Sequence, residues 1–135
     1  MDIDAHTQFC GLIGNPVEHS LSPAIHNAAF QKLGLNFVYL AFRVEAIGDA
    51  IKGFRALGNF RGASVTIPHK VSAVSFLDSL EPTARHIGAI NTIVASGGAL
   101  TGYNTDAIGA LRALREGGVA LNGRQVVMLG SGGAA

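Results

Sequence analysis

The sequence predicts an α/β domain: a three-layer sandwich on a mainly parallel sheet with one antiparallel strand. Three observations lead there. Short apolar runs rich in β-branched and aromatic residues alternate with segments of helical periodicity, which implies right-handed crossovers and parallel neighbours. Gly97-Gly98 separates two apolar runs with almost no intervening chain, which implies a hairpin and therefore one antiparallel strand. A chain of 135 residues, 48% hydrophobic and 14% charged, is of ordinary domain size and can bury a core.

The elements follow in order. Phe9 to Ile13 is a short apolar run closed by Gly14-Asn15-Pro16, a strand and a turn. Ser22-Pro23 opens a helix, with Ser22 as the cap and Pro23 at the first helical position, where no donor is missed. Ile25, Ala28, Ala29 and Leu33 share one face of it, and Gly34 ends it. Phe37 to Phe42 is a strand. Ala46 to Leu57 is helical, with Ile47, Ala50, Ile51, Phe54 and Leu57 at core spacing. Ala63 to Ile67 is the third strand and His69 to Leu77 a short helix; Pro82 starts another. Ala89 to Ala95 and Leu100 to Tyr103 flank the hairpin. Thr105 to Arg115 is a helix with Ile108, Leu111 and Leu114 facing inward, stopped by Gly117-Gly118. Gln125 to Leu129 reads as a final strand. A domain boundary is expected near Asn122-Gly123, giving units 1–121 and 122–135.

Composition excludes several classes. A net charge of +1 with scattered Lys and Arg gives no field for nucleic acid or an anionic membrane. Cys10 is the only cysteine, which rules out an intrachain disulfide or a multi-cysteine zinc site, and a small core residue is its ordinary use. No apolar run reaches spanning length, and Met1-Asp2-Ile3-Asp4 is acidic where a signal peptide is basic, so a cytoplasmic protein is expected.

The polar residues gather at element ends. Gly62 to Ile67 is an apolar strand that stops at Pro68 and presents Lys70, a position where partial desolvation suits a lysine to proton transfer. Thr66 alternates with Val65 and Ile67, so Thr66 and Lys70 are expected at one cleft, at the carboxyl ends of the strands where open α/β sheets place ligands. His69 is a rival acid or base, read here as a structural first-turn residue. Asp106 opens a helix, where capping is the bland explanation and pairing with Lys70 the functional one. Ser22 is explained by capping alone, whereas Ser20 has no structural reason and suits a carboxylate. Asn91 is polar within an apolar strand and either satisfies a loop or reads ligand hydroxyls. At the end of the chain, Gly130, Gly132 and Ala135 fit G-x-G-x-x-A directly after the expected final strand, as in a dinucleotide-binding turn.

Taken together, these motifs resemble the shikimate dehydrogenase family. Ser20-Leu21-Ser22-Pro23, the strand end Val65 to Lys70, Ala89 to Thr92, Gly102 to Asp106 and the turn Gly130 to Gly133 occur in the family's order and cover essentially the whole chain. The resemblance implies reversible, NADPH-dependent reduction of 3-dehydroshikimate to shikimate. It implies Lys70 and Asp106 as the catalytic pair, with proton transfer assigned to Lys70 or shared between the two. Ser20 and Ser22 are implied as carboxylate-binding hydroxyls, and Thr66, Asn91 and Asp106 as contacts to ring hydroxyls. Ser64 stands where the family usually has Asn, which bears on affinity and ring specificity. NADP is the implied cofactor, with Gly130, Gly132, Gly133 and Ala134 as its residues here and a hinge helix before them. The chain then stops at the first strand of a Rossmann-type cofactor domain. The isolated chain is accordingly expected to be inactive and not to bind NADPH, and its lone last strand to be mobile or paired in a homodimer. Two alternatives stay open: a quinate/shikimate dehydrogenase, and a non-catalytic hydroxyacid-binding module.

Overall fold

A computed structural model describes residues 3–130 and 132. The strands β1 (Gln8–Gly14), β2 (Phe37–Arg43), β3 (Phe60–Val65), β4 (Ser79–Leu80), β5 (Thr92–Ser96) and β6 (Ala99–Tyr103) form one sheet, in the order β2-β1-β3-β5-β6-β4. β1 pairs in parallel with β2 and β3; β5 runs antiparallel to both β3 and β6; β4 is parallel to β6. The sheet is therefore parallel apart from β5, as the hairpin implied. Gly97 and Gly98 both take positive φ, 58° and 83°, which a two-residue turn matched to the strand twist demands.

The helices are α1 (Ser22–Lys32), α2 (Ile47–Arg55), α3 (Pro82–Ile87) and α4 (Asp106–Glu116). On one face, Ile47 and Ile51 of α2, Ala84 of α3 and Ala73 of a short 3₁₀ turn (Ser72–Phe76) close over Ile13, Phe60, Ala63, Val65, Ile93 and Leu100. Ile13, Ile51, Ile90 and Ile93 are the largest wholly buried side chains. Each contributes about 1.5–3 kcal/mol by leaving water. Phe9, Phe42, Phe54 and Phe60 pack ring on ring beneath α2. The other face carries α1 over Leu12, Val17 and Tyr39.

Several expectations are corrected. The face Ile25, Ala28, Ala29 and Leu33 of α1 is not buried, and Ile25 and Leu33 are largely exposed. α1 docks instead through Asn27, whose amide accepts from the Tyr39 backbone N–H at 2.8 Å and donates to the Tyr39 carbonyl at 2.9 Å. His26 stacks on the Tyr39 ring at 4.3 Å. An amide that satisfies an edge strand's backbone replaces the aliphatic stripe as the docking device. Ser22 caps nothing: Leu21 is the N-cap, and Ser20 Oγ accepts the Ser22 N–H at 3.2 Å, so Ser20 has the structural reason that the sequence seemed to deny it. Ile108, Leu111 and Leu114 do not face inward; α4 buries none of its residues, because no described element packs on it. Gln125 to Leu129 forms no strand: it pairs with no described strand, and Val126 to Leu129 are exposed. His69 to Leu77 gives only the 3₁₀ turn, and the two-residue β4 carries too little pattern to be read from sequence. No helix among the described residues is long and apolar enough to cross a membrane.

Candidate functional site

Lys70, Asn91 and Asp106 come from three separate segments and meet at one end of the sheet. After β3, the chain turns at Thr66 to His69, closed by the His69 N–H on the Thr66 carbonyl at 2.9 Å. The His69 side chain is buried, and its Nε2 lies 2.7 Å from the Val44 carbonyl. A carbonyl only accepts, so Nε2 carries the proton. His69 thus anchors the turn, in line with the structural reading. The Lys70 carbonyl accepts the Ile90 N–H at 2.9 Å, which fixes the next residue as well.

Asn91 is tied on both sides by its backbone: its N–H donates to the Tyr103 carbonyl at 2.9 Å, and its carbonyl accepts from the Val65 N–H at 2.7 Å. It therefore bridges the ends of β3 and β6. Its Nδ2 reaches Thr105 Oγ1 and Asp106 Oδ1, both at 2.8 Å, and its Oδ1 accepts from the Thr92 hydroxyl and the Thr105 N–H. The side chain is fully committed, which makes it a positioning group for Asp106.

Asp106 is the first residue of α4, yet its carboxylate does not cap the helix. Buried Asn104 accepts the Asp106 N–H through Oδ1 at 3.0 Å and anchors its own amide on the Ala89 carbonyl. That frees the carboxylate: Oδ1 takes Asn91, and Oδ2 takes Lys70 Nζ at 2.6 Å. Burial raises the Asp106 pKa, but the bonds from Lys70 and Asn91 and the Lys70 charge outweigh it and hold the carboxyl below its ordinary value. At neutral pH Asp106 is a carboxylate that only accepts, so Lys70 Nζ is the donor of this bond. The Lys70 side chain is 15% exposed, and that of Asp106 is 46% exposed, so the pair opens to solvent on the aspartate side.

The remaining residues lie outside this hydrogen-bonded cluster. Ser20 and Ser22 stand at the entry to α1. Thr66 follows β3, and its methyl occupies the space beside Gly14, where a Cβ on the glycine would sit 2.3 Å from it. Ser64 accepts a hydrogen bond at 2.8 Å from the Tyr39 hydroxyl. The sequence reading missed Asn104, Thr105 and Tyr39. The first two stand in the flagged run Gly102 to Asp106 and were open to notice as amide and hydroxyl neighbours of a helix-opening aspartate. Tyr39 gave no signal, because its hydroxyl finds Ser64 only through sheet pairing.

Of the expected dinucleotide turn, Gly130 and Gly132 are among the described residues. Gly130 has φ +104°, the left-handed region that glycine favours, and the preceding segment 125–129 forms no strand. Gly133, Ala134 and Ala135 lie outside the described residues.

Residues 12–93 match the family described as the shikimate dehydrogenase substrate binding domain. The chain is 53% identical, over 98% of its length, to the shikimate dehydrogenase (NADP(+)) of Desulforamulus reducens, of which it covers 46%. It is similar to the crystal structure of Listeria monocytogenes shikimate 5-dehydrogenase in complex with shikimate and NAD (TM-score 0.83, 48% identity, 90% of this chain and 42% of that one). It is also similar to the Thermus thermophilus shikimate 5-dehydrogenase in complex with shikimate (TM-score 0.85, 43% identity, 95% of this chain and 49% of that one). The chain spans about half the length of the curated relatives it matches.

Proposed function

We propose a substrate-side role from the premise that this chain belongs to the shikimate dehydrogenase substrate-binding-domain family. In this reading residues 1–121 hold shikimate or 3-dehydroshikimate and supply the proton chemistry for their interconversion, and residues 122–135 begin the cofactor-binding unit. The observation that carries it is the cluster of Lys70, Asn91 and Asp106, with Lys70 Nζ 2.6 Å from Asp106 Oδ2 and Asn91 holding the other carboxylate oxygen.

The residues divide the work by donor and acceptor type. Lys70 Nζ presents a proton to the ring oxygen that changes between ketone and alcohol. Asp106 accepts from the ring hydroxyl and keeps the Lys70 amine aimed at the same oxygen. Asn91 fixes Asp106, and Ser20, Ser22, Ser64 and Thr66 surround the ring and its carboxylate. NADP(H) supplies the hydride in such an oxidoreduction, and the match to a substrate-binding domain puts this chain's part on the ring side. A cytoplasmic location fits a biosynthetic dehydrogenase of this kind.

Calorimetric titration of the chain with shikimate tests the reading. Saturable binding that Asn91→Ala weakens supports it; no binding by the unaltered chain refutes it.

A further inference from the structure

Ser64 has a partner that the cluster around Lys70 does not use. It lies in β3 directly opposite Thr92 of the antiparallel β5. The Tyr39 hydroxyl crosses from β2 and lies 2.8 Å from Ser64 Oγ. Tyr39 is 3% exposed, clamped by Asn27 on its backbone and stacked on by His26. Tyr39, Ser64 and His26, with Cys10, Phe30 and Thr92, line a cavity of about 220 Å³ on the α1 side of the sheet. Thr92 joins this cavity to the Lys70 cluster, because its hydroxyl donates to Asn91 Oδ1.

The hydrogens of the Tyr39–Ser64 pair can be assigned. A phenol is the stronger acid of a phenol–alcohol pair and donates, and burial raises the Tyr39 pKa, so the phenol stays protonated. Tyr39 therefore donates to Ser64. Its donation occupies an Oγ lone pair, and the Ser64 hydrogen must point elsewhere. Among the described residues, Ser64 Oγ donates to no protein acceptor, which leaves that hydrogen free for a ligand in the cavity that Ser64 lines. Accepting from Tyr39 also polarises the Ser64 O–H and makes it a better donor.

We infer that Tyr39 is a positioning residue for substrate specificity, acting through Ser64 to aim one O–H donor at a ligand oxygen. The pair gives a two-atom side chain, supported from behind, the fixed direction that a longer amide at this position has by itself. The Tyr39 hydroxyl gives its one hydrogen to Ser64 and keeps none for the ligand. The inference rests on the proposed function and deepens it: the ligand oxygen belongs to the hydroxylated ring carboxylate bound beside Lys70.

The experiment is a double-mutant cycle on shikimate affinity, measured by calorimetry with the full chain. Tyr39→Phe and Ser64→Ala are each expected to weaken binding roughly three- to tenfold, the effect of one neutral hydrogen bond. The double variant should be no weaker than Ser64→Ala alone, because the hydrogen bond lost in Tyr39→Phe is the one made to Ser64. In a Ser64→Asn background the amide supplies its own donor, and Tyr39→Phe should then leave affinity unchanged. Thermal unfolding of each variant separates lost affinity from lost structure. Unchanged affinity in Tyr39→Phe, or losses that simply multiply in the double variant, overturn the inference and leave the proposed function standing. Failure of the unaltered chain to bind shikimate overturns both.

Discussion

Replacing Asp106 by Asn keeps the shape of the side chain and removes one acceptor. Both carboxylate oxygens now accept, one from Lys70 Nζ and one from Asn91 Nδ2. An amide has a single acceptor oxygen, so its NH₂ must face one of two donors, and one bond is lost. A bond to a charged group contributes about 1.5–3 kcal/mol when shielded, while exposed ion pairs contribute about 0–1 kcal/mol. With Lys70 15% and Asp106 46% exposed, solvent screening brings the loss down to about 1 kcal/mol at neutral pH. The pH dependence gives the sharper test. The folded-state pKa of Asp106 is depressed below its ordinary 3.8, so its contribution is present above that value and is lost as pH falls through the folded pKa. Urea unfolding of the two proteins side by side should show a stability gap at neutral pH that closes in acid. Other carboxylates titrate alike in both chains and cancel in the difference. A gap of equal size at both pH values would mean that Asp106→Asn acts through shape or packing and that the charged pair contributes nothing.

Lys70→Ala, in a chain joined to a cofactor-binding half, should lower kcat by about 10²–10⁴ while leaving KM nearly unchanged, since a proton donor acts in the transition state; steady-state kinetics with a pure KM effect would contradict the assignment. His69→Ala leaves the Val44 carbonyl without its side-chain partner in the core, and thermal unfolding should show a loss of about 1–3 kcal/mol from that group alone. Gly62→Ala sets a Cβ 2.3 Å from the Ile93 carbonyl oxygen at φ +154°, so the β3–β5 pairing should yield, and hydrogen exchange at Ile93 and Val94 should accelerate while β1–β2 stays protected.

What the sequence revealed and what it hid have a common cause. Elements whose signal is local were legible: the Gly97-Gly98 turn, the Gly34 stop after α1, and α2 with Ile47 and Ile51 inward. The cluster residues Lys70, Asn91 and Asp106 were legible too, because each is polar at the end of an apolar element. Readings failed where an apolar stripe had no partner to meet. Ile25 and Leu33 on α1, and Ile108, Leu111 and Leu114 on α4, have helical spacing but no described surface to cover them. Periodicity says which residues share a face, not whether anything lies opposite it. Asn27 was missed for the converse reason: a polar residue on a helix reads as solvent-facing until an edge strand offers both its N–H and its C=O.

The reversed strand is what assembles the cluster. In a parallel sheet, residues that follow strands gather at the carboxyl edge, and residues that precede them lie at the opposite edge. Lys70 follows β3 and Asp106 follows β6, so both reach that edge. Asn91 precedes β5 and would lie a full strand away, about 17 Å for a strand of this length, if β5 ran with its neighbours. Because β5 is antiparallel, its start lies beside the ends of β3 and β6, and the Asn91 backbone joins Val65 to Tyr103. The Gly97-Gly98 turn at the far end of the sheet sets that direction and, through the Ser96↔Ala99 pairing, the register that brings Thr92 opposite Tyr103. A slip of one residue there would turn every side chain of β5 to the other face, take Thr92 from its place opposite Ser64, and break the bond from its hydroxyl to Asn91 Oδ1. Two glycines that touch no ligand thus belong to the site as firmly as the lysine does.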